Sequence, residues 1–291
     1  MRVKDLFYWI NERHDIAVAK TANRPKPWTQ DPILQTYRFC NVYREADTVT
    51  QWIGKNWRKP NAKDPHLWFA MTVARFINWP GTLEDLGYPC KILWDPMRFL
   101  QTVRDRQAQG FQVYGGAYTI STNGRKMLKH EYLVEQVFQP LWANREQIEA
   151  VLQTPKMTLA KAHTQLTQFQ GMGGFMAAQV IADLKYAQLT KAPDWWTWAA
   201  SGPGSRRGLV RVLCQSAAEG GERKNTPWRE DIWLTKLQEL HAQINPLIQK
   251  TGMPALHAQD LQNCLCEFDK YERVKLGEGR PRSLYPGGIS A

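Results

Sequence analysis

The chain has 291 residues, with 38 Lys and Arg against 27 Asp and Glu, a formal charge of +11 and a pI near 9.5. Hydrophobic residues make up 43% and charged residues 22%, the balance of a folded chain, which excludes intrinsic disorder. The best apolar run, Leu67 to Val73, soon meets Arg75 and falls short of the ~20 residues of a membrane span, so no membrane partner is expected. Met1-Arg2-Val3-Lys4-Asp5 leads into an amphipathic stretch, not a signal-peptide core. Cys40, Cys90, Cys214, Cys264 and Cys266 contain no C-x-x-C pair and no zinc spacing, which points to reduced thiols in a cytoplasm, with no metal and no cofactor.

In chain order, most segments read as helices. Lys4 to Thr21 carries apolar residues at Leu6, Phe7, Ile10, Ala17 and Val18, a 3.6-residue period. Asp-Pro pairs at Asp31-Pro32, Asp64-Pro65 and Asp95-Pro96 each look like an N-cap with Pro at the first helical position. Tyr114 to Asn123 is the one stretch of β character, closed by an Asn123-Gly124 turn. His130 to Leu152 returns to helix, broken at Pro140. Thr158 to Gln168 and Phe175 to Ala187 form a tight helical pair; Ser205 to Cys214, Arg229 to Lys250 and His257 to Tyr271 complete the helices. The expected fold is all-α over 1–291 as one domain, with two lobes, about 1–154 and 155–291, if the chain divides at Thr154-Pro155.

The positive charge is spread along the chain, +6 over residues 1–150 and +5 over 151–291. A broad basic surface attracts polyanions, nucleic acid foremost. Thirteen Trp serve either a core or a base-stacking surface. No G-x-x-x-x-G-K-[ST], G-x-S-x-G or H-E-x-x-H is present.

The most informative stretch is Gln170-Gly171-Met172-Gly173-Gly174-Phe175. One helix stops, glycines supply positive φ and close backbone approach, and the next helix begins with free N–H groups suited to a phosphate. It resembles the helix-hairpin-helix of DNA glycosylases. That resemblance makes Gly171, Gly173 and Gly174 DNA-binding, and makes Asp194, 23 residues beyond Gly171, a catalytic carboxylate at the start of the following helix. A plain N-cap is the competing role for Asp194. The position of a bifunctional glycosylase's lyase Lys is apolar here (Phe175, Met176), and the four-Cys iron–sulfur loop of some relatives is missing.

Further blocks narrow the resemblance: Pro27-Trp28-Thr29-Gln30-Asp31-Pro32, Phe39-Cys40-Asn41-Val42-Tyr43-Arg44-Glu45-Ala46-Asp47, Gly202 to Leu209, and Leu265-Cys266-Glu267-Phe268-Asp269-Lys270-Tyr271. Together, over about Trp9 to Tyr285, they look like the helical domain of 5-hydroxymethyluracil DNA kinases. They also look like the related alpha-glutamyl/putrescinyl thymine pyrophosphorylase family, the amino acid:DNA transferases of phage thymine hypermodification. The resemblance implies a glycosylase-like helical fold and a protein of the host cytoplasm. Its substrates would be double-stranded DNA containing modified thymine and an amine, either an amino acid or a polyamine. A kinase partner is the alternative context, since the chain lacks a kinase lobe.

Chemistry at the exocyclic methylene of C5 requires base flipping, a hold on an anionic leaving group, and a base for the incoming ammonium. Trp195 and Trp196 are the base-stacking candidates, with Trp198 beside them. Arg38, Arg44, Arg206 and Arg207 suit the leaving group through bidentate geometry. Asp194 is the first candidate base, followed by Glu45, Asp47, Glu267 and Asp269; Asn41 suits the uracil edge, the amine, or a helix cap. Lys270, Arg273, Lys275, Arg280 and Arg282 form a basic strip for the DNA backbone. A monofunctional glycosylase and a non-catalytic DNA-recognition module remain alternatives to the transferase.

Overall fold

The computed structural model describes residues 2–90, 93–116, 118, 120–213 and 228–285; Cys214 and the end of the tail lie outside them. The secondary structure among these residues is helical, with one isolated antiparallel bridge, Tyr37 to Leu284, and no strand. The contacts define two compact units, Met1–Asp47 with Trp196–Ala291, and Thr48–Trp195. Thr154-Pro155 lies inside the second unit, in the turn between two of its helices.

In the first unit, α1 (Val3–Thr21) buries Leu6, Trp9, Ile10 and Ile16. The short α2 (Pro32–Thr36) starts where Asp31 accepts the N–H groups of Ile33 and Leu34, with Pro32 supplying a preset φ at the first position. After the second unit the chain returns through α12 (Pro203–Leu213), α13 (Glu230–Lys250) and α14 (Ala258–Lys275). Trp233, Leu237, Leu240, Ile244 and Ile248 recur along one face of α13 and meet Leu209, Val212, Leu261, Leu265 and Phe268 in a common core.

Glycine sets the distance between α12 and α14. A Cβ at Gly208 would lie 2.0 Å from the carbonyl oxygen of Leu265, and one at Gly204 would lie 2.5 Å from Cys266 Sγ. The glycine-bearing block at 202–208 thus lets two backbones touch. At that contact the buried Asp269 takes Arg211 Nε at 3.0 Å on one oxygen and Arg207 Nε at 2.8 Å on the other.

The second unit is built on α4 (Leu67–Ile77), every residue of which is buried. The run that is too short to span a membrane is instead a central core helix. It packs against α11 (Gly174–Leu184), while Phe69, Phe76, Trp94, Phe99 and Phe138 form an edge-to-face cluster. Asp183, fully buried on α11, receives Arg75 through two bonds of 2.6 Å and Arg58 through a third at 3.2 Å. Around this core lie α3 (Thr48–Ile53), which widens into a π-turn over Gly54–Arg58, then α5 (Pro80–Leu86) and α6 (Pro96–Ala108). Asp95 caps α6 as its Asp-Pro signal implies.

Several local expectations are corrected. Asp64 does not cap a helix: Oδ1 takes His66 N–H in a turn, Oδ2 takes the Tyr88 hydroxyl, and α4 begins later at Leu67. The helix after 128 runs through Pro140, as α7 (Lys129–Tyr132), a π-turn over Leu133–Phe138 and α8 (Gln139–Ala143). The break falls at Asn144, before α9 (Arg145–Leu152). A wide turn is one of the few ways to carry a residue that lacks an N–H. The β-like stretch at 114–123 forms no strand among its described residues. Gly115 N–H donates to Ile77 O, and a Cβ there would lie 2.2 Å from Asn78 O, so this backbone closes the end of α4 instead of pairing. The Asn123-Gly124 turn is present, both residues at positive φ. The expected helical pair is α10 (Leu159–Thr167) and α11.

Two substitutions test these packing arguments. Gly208→Ala forces a methyl into a backbone carbonyl and should destabilise the fold by about 1–3 kcal/mol, seen as a lower urea midpoint. Arg75→Ala removes both 2.6 Å bonds to the buried Asp183 and should cost about 3 kcal/mol or more in the same measurement.

Candidate functional site

The residues singled out by sequence fall into distinct places. In the first unit, residues 39–47 lie along α14 and are bonded to one face of it. Arg44 N–H donates to Asp260 Oδ1 at 3.0 Å, Asn263 Nδ2 to Asn41 O at 3.1 Å, Cys264 Sγ to Val42 O at 3.6 Å, and Cys40 N–H to Glu267 Oε2 at 3.1 Å. Positions 260, 263, 264 and 267 follow the three- and four-residue spacing of one helix face, so α14 acts as a template for a loop with little secondary structure of its own.

The loop is also braced from α1. Arg13, on the buried face of that helix, donates Nη2 to Asn41 Oδ1 at 2.6 Å and Nε to Phe39 O at 3.2 Å. Asn41 uses its remaining groups within the loop: its N–H goes to Asp47 Oδ1 at 3.0 Å and its Nδ2 to Ala46 O. Lys270, one turn beyond Glu267, sets Nζ 2.5 Å from Glu267 Oε1.

The result is a partly buried cluster of opposite charges. Burial pushes the Asp47 carboxyl up, against the lowering effects of the Asn41 N–H and of Arg44 and Arg13. Burial alone would lower the Lys270 ammonium; the Glu267 carboxylate overrides it and holds the group firmly charged. Its crowded surroundings and the Glu267 and Asp47 carboxylates raise the thiol of Cys40, which keeps an exposed edge, and burial lifts Cys266 to about 11, with Glu267 adding to the effect. At neutral pH both cysteines are thiols. Asn41, Asp47, Arg44 and Lys270 are thus brought together. Arg44 itself is buried, with Nη1 3.5 Å from Glu45 Oε1.

Other residues are placed differently. Arg206 is engaged by Ser201 Oγ, Trp228 O and Glu230. Arg207 stays partly exposed on Asp269. Arg38 is exposed, 6.0 Å over the Tyr285 ring. Arg273 packs where a Cβ on Gly279 would touch its guanidinium. Trp196 is 51% exposed, with an edge contact to His257, whereas Trp198 is buried.

The second unit holds the helical hairpin. Gly171 is at φ +82, and a Cβ there would lie 2.4 Å from Val137 Cγ2; Gly173 and Gly174 are exposed at the start of α11. Asp194 lies in a turn, and the next helix begins only at Pro203. Its two oxygens take the N–H groups of Leu159 and Ala160 at 2.8 and 3.0 Å, capping α10 from a distance in sequence. Trp195 donates Nε1 to Lys185 O, and the buried Lys185 Nζ stands 3.9 Å over its ring.

Sequence reading passed over Arg13, Asp260 and Asn263. Arg13 had a signal: it interrupts the apolar face marked by Leu6, Ile10 and Ile16, where an arginine needs a buried partner. Asp260 and Asn263 had none, because their partners are more than 200 residues away.

The fold and site define an all-helical protein whose polar cluster is assembled from two sequence-distant blocks. The family described as "5-hmdU DNA kinase, helical domain" matches residues 1–280, and the chain belongs to that family. It is similar to the 5-hmdU DNA kinase of Bacillus phage SP10, at 24% identity over 288 residues. That match covers 91% of this chain and 44% of the phage protein, so the chain spans less than half the length of this relative. No solved structure matches the chain.

Asp47 gives a pH test. Its folded-state carboxyl binds a proton more tightly than the unfolded chain does. Its stabilising contribution is therefore complete below the ordinary Asp range and is lost as pH rises through the raised value. Asp47→Asn can keep the bond from Asn41 N–H but has no such loss. Denaturant unfolding should show the Asn variant gaining on the parent between about pH 4 and pH 7. A constant difference across that range would show that burial does not perturb Asp47.

Proposed function

We propose that this chain takes part in thymine hypermodification in DNA, as a transferase placing an amine on an activated 5-(pyro)phosphomethyluracil base. The observation that carries the reading is the cluster of Asn41, Asp47, Glu267 and Lys270, formed from two of the blocks that resemble this family. In the proposed reaction the bond from the exocyclic methylene to the phosphate oxygen breaks. The amine nitrogen forms the new C–N bond, and pyrophosphate, or phosphate, leaves. The proton released from the attacking ammonium goes to Asp47, whose raised affinity suits a general base. Lys270, held charged, stands for the leaving group with Arg38, the most exposed of the candidate arginines, and with the half-buried Arg207.

DNA contact is assigned to the glycine turn 171–174, whose exposed Gly173 and Gly174 at the start of α11 offer N–H groups suited to a backbone phosphate, and to Lys270 and Arg273. Trp196 is the favoured stacking residue because its ring is exposed; Trp195 is committed to Lys185. Asp194 is left outside the chemistry. Both its oxygens hold backbone N–H groups, which argues against a glycosylase in which that carboxylate faces a sugar cation.

A second reading has its own support. The SP10 protein is more than twice as long as the matched region, so the helical part there is joined to further chain. In this reading the present protein is a recognition module that presents modified DNA to a kinase.

The test is mass spectrometry of nucleosides from DNA carrying 5-pyrophosphomethyluracil or 5-hydroxymethyluracil, after incubation with the protein, amino acids and polyamines. The transferase predicts loss of pyrophosphate and gain of one amine's mass. Asp47→Asn should lower product formation at least ~100-fold while DNA binding persists, and Lys270→Met should lower it as far while also weakening DNA binding modestly. Unchanged nucleosides in DNA that the protein still binds would favour the recognition module, and release of free base would revive the glycosylase.

A further inference from the structure

The second unit contains a cavity of about 490 Å³ that none of the chemistry above uses. Its size falls in the ~300–1,000 Å³ range of small-molecule sites. Leu152, Leu184 and Leu189 contribute an apolar lining, and Lys63, Lys156 and Lys191 bring three ammonium-bearing side chains from three separate segments. None of the three lysines has a carboxylate within ion-pair distance among the described residues. The one acidic lining residue, Glu149, is already engaged: Oε1 lies 2.5 Å from His66 Nδ1 and 3.2 Å from Trp68 Nε1. The cavity therefore combines an apolar surface with three exposed lysines at its rim.

Lys156 adds an independent observation. It sits at φ +59 in a turn closed by Met157 N–H to Thr154 O, with Pro155 before it. That position of a Pro-led turn favours glycine or asparagine, and a lysine there is held in a strained conformation. Folding alone would be served better by glycine. The residue in that strained position is one of the exposed lysines that line the cavity.

We propose that this cavity binds a nucleoside polyphosphate. Three lysines act as separate point charges on several phosphate oxygens, and the leucine-lined surface takes the planar base. The site lies wholly within the second unit and does not depend on the transferase reading.

Titration calorimetry on the full chain tests the proposal, with ATP, dTTP, thymidine, inorganic pyrophosphate and an unmodified DNA duplex as probes. At least one nucleoside triphosphate should bind more tightly than thymidine or pyrophosphate. Lys156→Gly should leave thermal stability equal or higher, because glycine relaxes the turn, yet weaken triphosphate binding about tenfold or more. Lys191→Gln should weaken it as well. The proposal is overturned if neither triphosphate binds, if both variants bind it as the parent does, or if pyrophosphate binds as tightly as the triphosphates. It is overturned equally if the lysine variants lose affinity for the duplex alone.

Discussion

The direct contact between the α12 and α14 backbones is the constraint on which the first unit rests. Side chains at 204 and 208 would collide with Cys266 and with the Leu265 carbonyl, so only glycine allows the two helices to meet there. That approach places Asp269 between Arg207 and Arg211. It also fixes the azimuth of α14, and so which face remains for residues 39–47. Asp260, Asn263, Cys264 and Glu267 bind the loop on a face distinct from the one held by α12. A single close-packed seam thereby orients the cluster formed on the other side of the same helix.

The second unit answers a different problem. A wholly buried helix, α4, carries Arg75 into an apolar interior, where an unpaired guanidinium would be prohibitive. Asp183 on α11 meets it bidentately, and Arg58 adds a further donor. Such an arrangement contributes little net stability compared with an apolar core, but it penalises any register in which the three groups do not meet. It therefore pins α11, and with it the hairpin whose Gly173 and Gly174 are exposed.

Polar residues at the proposed site and at the hairpin are supported by opposite means. Around Asn41 nearly every polar atom is paired, and the remaining freedom is protonic: a raised carboxyl, a fixed ammonium and two neutral thiols. At the hairpin, Gly173 and Gly174 leave the backbone exposed at the start of α11. Asp194 shows how the same residue type serves folding instead: its oxygens substitute for missing helical partners at the start of α10.

Local signals in the sequence determined the helical class, the helix starts at Asp31 and Asp95, the glycine hairpin and the central apolar helix, because caps, periodicity and turn glycines act over a few residues. The blocks at 39–47 and 265–271 could also be picked out, and so could Asn41, Asp47 and Lys270 within them. That the blocks lie against each other, that Arg13 and Asn263 brace them, and that Asp194 caps a helix 35 residues earlier came only from tertiary structure. The same holds for 114–123, whose β character yields to the end of α4 as the better partner for its backbone. In each case the deciding interaction is a hydrogen bond or close contact between residues far apart in the chain. Local residue preference carries no information about which distant partner will be there.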